Sequence, residues 1–178
     1  RRRARRGHGG RIVAFSVGIV FVAVAIGALS GVAYILSIAA DTPDIDSLKP
    51  VDKGAVSQVY AADGRRLGFI DSTDLRTPIP DRMIPAVAKR ATVAIEDQRF
   101  YQHGGVDPEG ILRAAIRNLG SGKTLQGGST ITQQLVRNLY ISPERTFARK
   151  IKEAKLAEEL ESKHSKRWIL DTYLNSVS

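Results

Sequence analysis

The chain has 178 residues, 27 Lys and Arg against 18 Asp and Glu, a formal net charge of +9 and no cysteine. These 178 residues have room for one modest domain with accessories. The missing thiols exclude a disulfide framework, thiolate zinc sites and a cysteine nucleophile.

Residues 1–11 hold six arginines (Arg1, Arg2, Arg3, Arg5, Arg6, Arg11) and no acid, and residues 12–40 hold no charged side chain. A bilayer core needs only about 20 apolar residues, so residues 12–40 predict a membrane anchor. A cleavable signal peptide is the competing reading, but its apolar region runs to about 15 residues, well short of this one. The basic tail would stay in the cytoplasm and everything after Asp41 would lie outside. Beyond the tail 21 basic and 18 acidic side chains nearly balance, so the charge calls for no nucleic-acid partner.

Residues 41–53 are polar, proline-punctuated and aperiodic, and read as a linker. Their Asp44-x-Asp46 pair has the form of a metal-holding motif, but no strand precedes it. Val56 to Ile70 alternates apolar and polar residues about Asp63-Gly64, which predicts a hairpin. Helical patterning then takes over. Ala86–Ile95 is one segment, and Asp107-Pro108 starts another with an apolar face at Ile111, Leu112, Ala115, Ile116 and Leu119. Ile131, Leu135 and Leu139 mark a third, a charged helix covers about Phe147–Glu161, and a last one begins near Lys166. Gly120 to Thr124 imitates a phosphate loop, but Arg117 stands where the leading glycine belongs and a helix precedes it. The expectation is a surface loop presenting Lys123.

Three patches could carry chemistry. Glu96-Asp97 ends an apolar turn and is trailed by Arg99 and His103; alone, this also fits a solvated helix end with a core histidine. Gly127-Gly-Ser129-Thr130 leads into a helix bearing Gln133, Gln134 and Arg137, where unpaired N–H groups could meet an anion or where Ser129 or Thr130 could simply cap. Arg145, Arg149 and Lys150 surround Glu153, which could equally be surface pairs at helical spacing.

Together these patches resemble one family, the peptidoglycan glycosyltransferases (family-51 glycosyltransferases) of class A penicillin-binding proteins and their monofunctional relatives. The resemblance covers about Ile84 to Asn175. It rests on Glu96-Asp-x-x-Phe-x-x-His-x-Gly105, Gly128-Ser-Thr-Ile-Thr-Gln-Gln134, Arg149-Lys-x-x-Glu153 and Arg167-Trp-Ile-Leu-Asp-Thr-Tyr-Leu-Asn175. It implies a mainly α, lysozyme-like domain with a small β element behind a single transmembrane helix. The divisions would be a tail at 1–11, an anchor at 12–40, a linker at 41–53 and a glycosyltransferase domain at 54–178 whose C-terminal part is missing, so that the sequence reads as a fragment of a longer protein.

The implied reaction polymerises lipid II into glycan strands and releases undecaprenyl pyrophosphate with inversion. By that resemblance Glu96 is the base and Glu153 the second essential carboxylate, a candidate for orienting the leaving group or a divalent cation (Mg or Mn); the sequence itself calls for no cofactor. Arg149 and Lys150 would bind the pyrophosphate, with Arg137, Arg145 and Lys123 nearby. Ser129, Thr130, Gln133 and Gln134 would hold the substrate and a shared helix start, and Arg99 and His103 would position the acceptor and Glu96. The implied partners are lipid II, the growing strand, the bilayer and cell-wall synthesis proteins. Arg137 stands where the family more often has Lys, which keeps the charge and changes its geometry. No Ser-x-x-Lys occurs in the 178 residues, so a transpeptidase nucleophile would have to lie beyond them. A non-catalytic scaffold binding lipid-linked glycan and a lysozyme-like hydrolase are the alternatives; the paired carboxylates count against the first and the basic cluster against the second.

Overall fold

The computed structural model describes residues 8–51, 57–70, 78–121, 128–141, 144 and 146–176, which fall into two units divided after Asp41. The first is one helix, α1 (His8–Asp41), whose Val13–Asp41 stretch is long and apolar enough to cross a membrane. From Val13 to Leu36 its side chains are exposed all round. A helix with no polar face, and with its backbone groups satisfied internally, suits lipid rather than water.

The second unit begins at Thr42. Residues 42–51, expected to be a free linker, are instead docked on it. A 3-10 turn at Ile45–Ser47 buries Ile45 in the core, and the Ile45 N–H donates to Glu159 Oε2 at 2.9 Å. Lys155 Nζ donates to Thr42 O at 2.7 Å and lies 3.8 Å from Asp44 Oδ1, and Lys163 pairs with Asp46, so that both halves of the Asp-x-Asp pair face a cation. The hairpin forms as β1 (Ser57–Tyr60) and β2 (Arg66–Ile70), antiparallel, with a register shift at Val59/Tyr60. Gly64 adopts φ +81° in its turn, a conformation that favours glycine, and Asp63 Oδ1 accepts from the Arg65 N–H.

Among the described residues a 3-10 turn at Asp81–Met83 and five α-helices follow: α2 (Ala86–Glu96), α3 (Pro108–Ser121), α4 (Ile131–Tyr140), α5 (Phe147–Lys163) and α6 (Lys166–Ser176). The core lies where α4 packs against α5 and α6. Its stripes follow helical spacing: Ile131, Leu135 and Val136; Leu156, Ala157 and Leu160; Ile169, Leu170 and Tyr173, closed by Phe100 and Ile45. The α5 stripe starts one turn earlier, at Glu153, so a carboxylate occupies a core position. By contrast α2 buries no residue, and Ile111, Leu112 and Ile116 of the predicted α3 face are exposed. The spacing gave the helix correctly, but that face is not part of the core.

Candidate active site

A cleft of about 430 Å³ runs between the C-terminal end of α2, the face of α3 carrying Arg113 and Arg117, and the start of α4. Glu96, the last residue of α2, opens onto it with an exposed carboxylate. Gln134 Nε2 donates to Glu96 Oε2 at 3.0 Å. Ser129, Thr130, Arg99 and Arg137 complete the expected residues that line it.

The remaining described candidates lie behind this lining. Glu153 is 0% exposed; its Oε1 is 3.1 Å from Arg149 Nε and its Oε2 accepts from Lys150 Nζ at 2.7 Å. A carboxylate removed from water needs such partners, since an unpaired charge in the interior is very costly. Lys150 Nζ also donates to Ser129 Oγ at 2.8 Å, so the Glu153 cluster reaches the cleft through one hydroxyl. A divalent cation does not fit at Glu153, because both of its oxygens already face cations.

His103 is pinned rather than presented. Its Nε2 lies 2.8 Å from Asp97 Oδ1 and its Nδ1 2.6 Å from Gly104 O, with the side chain 4% exposed. Asp97 Oδ2 accepts the Ile131 N–H at 3.1 Å, which fixes the end of α2 to the start of α4. Asp97, His103 and Asp107 each place one potential metal-ligand atom within 4.8 Å of the others. The Asp97 oxygens are both occupied, however, and Asp107 faces Arg99 at 3.8 Å, so the group reads as a clasp.

Gln133 also turns inward. Thr130 Oγ1 accepts from the Gln133 N–H at 3.1 Å while Gln133 Oε1 accepts from the Thr130 N–H at 3.1 Å, a capping box that starts α4. Thr130 Oγ1 further donates to Gly105 O at 2.6 Å. Gln133, expected at the substrate, therefore holds the helix start and Gln134 alone of the pair faces the cleft. Gly105 lies against α5 so closely that a Cβ there would sit 2.3 Å from the Ala157 carbonyl carbon. Lys123 and Arg145 fall outside the described residues.

Two cleft residues escaped the sequence reading. Arg113 and Arg117 stand one turn apart on α3 and line the cleft together, a spacing that could have flagged them. Tyr173 is the other addition near the site: its hydroxyl donates to Gln134 Oε1 at 3.1 Å.

A family model described as Transglycosylase matches residues 63–178. Penicillin-binding protein 1A of Escherichia coli (strain K12) is 47% identical over 135 residues, 76% of this chain and 16% of that protein. Those of Neisseria lactamica and Aquifex aeolicus (strain VF5) are 40% and 41% identical over 92% and 94% of this chain, covering 19% and 22% of their own lengths. The chain thus spans about a fifth of the length of these curated relatives. With the matched stretch holding the cleft, the Glu96 loop and the Glu153 cluster, the chain belongs to the transglycosylase family.

Proposed function

We propose that this chain carries a peptidoglycan glycosyltransferase that polymerises lipid II, as part of a bifunctional penicillin-binding protein. The observation that carries the reading is an exposed carboxylate, Glu96, in a cleft rimmed by Arg99, Arg113, Arg117 and Arg137. A glycosidase places two carboxylates across the bond it cleaves. Here Glu153 is buried under its own cations; of the carboxylates that line the cleft, Asp97 and Asp107 are buried and engaged by His103, the Ile131 N–H and Arg99, and Glu96 is the exposed one, set among several positive charges.

That arrangement suits transfer from a diphosphate. The 4-hydroxyl oxygen of the acceptor sugar attacks the donor's anomeric carbon from the face opposite the diphosphate, giving inversion. The hydroxyl proton passes to Glu96, the bond from carbon to phosphate oxygen breaks, and undecaprenyl pyrophosphate leaves with the electron pair. A leaving group already anionic needs positive charge more than a proton, which the arginines supply. Ser129, Thr130 and Gln134 line the substrate's path, while Lys150 reaches it beside Ser129. Glu153 acts through Arg149 and Lys150, fixing the two cations at the cleft's back.

The reading places residues 1–11 in the cytoplasm, 12–40 across the membrane and the domain, from about residue 54 on, on the outer face, where lipid-linked substrates and the growing strand meet it. The test is direct. The intact protein in detergent, given lipid II, should yield glycan strands and one undecaprenyl pyrophosphate per bond formed; free disaccharide without strands would mark a hydrolase and overturn the reading.

A further inference from the structure

Three helices meet at one amide. Tyr173 of α6 is 5% exposed and donates its hydroxyl proton to Gln134 Oε1, while Gln134 Nε2 on α4 donates to Glu96 Oε2 at the end of α2. A glutamine amide has one accepting end and one donating end. With the phenol holding the oxygen, the NH₂ group must face the carboxylate; the flipped amide would set two acceptors against each other and leave a buried hydroxyl without its acceptor. Among the described residues, no hydrogen bond to Glu96 Oε1 is present, so that oxygen is left for an incoming proton.

We propose that Tyr173 is a positioning residue for the transfer reaction: through Gln134 it fixes the orientation of Glu96 and so aims the carboxylate at the acceptor hydroxyl. The inference rests on Glu96 being the base, as argued above. The phenol is suited to the task because burial, and secondarily the charge of Glu96, push its pKa above the ordinary 10.0, against a smaller opposing pull from Arg137. Its proton therefore stays in place throughout the range in which the base must work. Other charges share the cleft with Glu96: Asp97 beside it, Arg99 on the next turn, Asp107 just before α3, Arg113 and Arg117 on α3, and Arg137 on α4. All of them remain in the variants below, so a change in rate reports on the amide.

The experiment is lipid II polymerisation by the intact protein, compared among wild type, Tyr173→Phe, Gln134→Ala, the double variant and Glu96→Gln. Tyr173→Phe should lower kcat about 3- to 10-fold, the value of one ordinary hydrogen bond, with KM nearly unchanged. Gln134→Ala should lower kcat as well, and adding Tyr173→Phe to it should lower it no further, because the phenol then has nothing to orient. A role confined to packing would lower the melting temperature and leave kcat of the folded enzyme in place. If Tyr173→Phe fails to fold, Gln134→Ala alone decides by whether kcat falls at constant KM. An unchanged kcat, with Glu96→Gln inactive, overturns the positioning role and spares the base. Full activity in Glu96→Gln overturns both.

Discussion

The two walls of the cleft are built in opposite ways. α4 is clamped between α5 and α6 by a core that leaves Ile131, Leu135 and Val136 fully buried, whereas α2 buries nothing and the apolar face of α3 stays open. Yet Glu96 stands on the second wall. What locates it is polar: Asp97 takes the Ile131 N–H, Thr130 takes the Gly105 carbonyl, and Glu158 Oε1 accepts from the Val106 N–H at 3.0 Å. The Glu96 carboxylate is thus held chiefly by its sequence neighbour, tied to the start of a packed helix, while its own helix meets the core through half-buried Val93 and pairs Lys89 with Asp171 of α6.

Removing the cations behind the rigid wall should do the most damage. Arg149→Ala combined with Lys150→Ala leaves the Glu153 carboxylate buried without either partner, and chemical denaturation should show a loss of about 3–5 kcal/mol. If stability is unchanged, the pair is not what lets α5 carry a charge in its core stripe.

The clasp comes next. Asp97→Ala removes the acceptor of the Ile131 N–H and of His103, and should cost about 1.5–3 kcal/mol, as expected for hydrogen bonds to a charged group. It should also reduce polymerisation although Asp97 is not the base; a stable, fully active variant would show that packing positions Glu96 after all. Gly105→Ala tests the same seam sterically. Its Cβ would run into the backbone at Ala157 and Glu158, and an overpacking cost of about 1–3 kcal/mol should appear as a lower melting temperature.

The smallest effect is alkaline. Tyr140 and Tyr173 both have pKa values raised from 10.0, chiefly by burial. For each, the protonated form is favoured by folding, so its contribution is present below pH 10 and is lost as pH rises from 10 through the raised native value. Stability should therefore decline above pH 10, and Tyr173→Phe should flatten that decline.

Much of this was legible beforehand. The repeat at Ile131 and Leu135 and the starts of α3 and α6 followed from spacing and punctuation, and Asp63-Gly64 placed the hairpin turn. The docking of residues 42–51 was not, because Ile45, Leu48 and Val51 are scattered without helical or strand period among polar residues and prolines, and Glu159, the partner of Ile45, lies 114 positions away. Spacing also found the α3 face without saying that it would stay uncovered. Gln133 and Gln134 look alike in sequence, but neighbours on a helix point about 100° apart, so one closes the capping box and the other meets Glu96. The Thr130-x-x-Gln133 pattern was the available clue. Glu153 could have been recognised as buried from its place one turn before Leu156, Ala157 and Leu160.

On the proposed mechanism, Glu96 accepts the proton in the cleft without being needed to build it. The most direct test measures lipid II binding, melting temperature and strand formation together for Glu96→Gln in the intact protein. Binding and stability should stay close to wild type, with strand formation down by about 10²- to 10⁴-fold, the usual worth of a general base. Strand formation at the wild-type rate by that variant would contradict it.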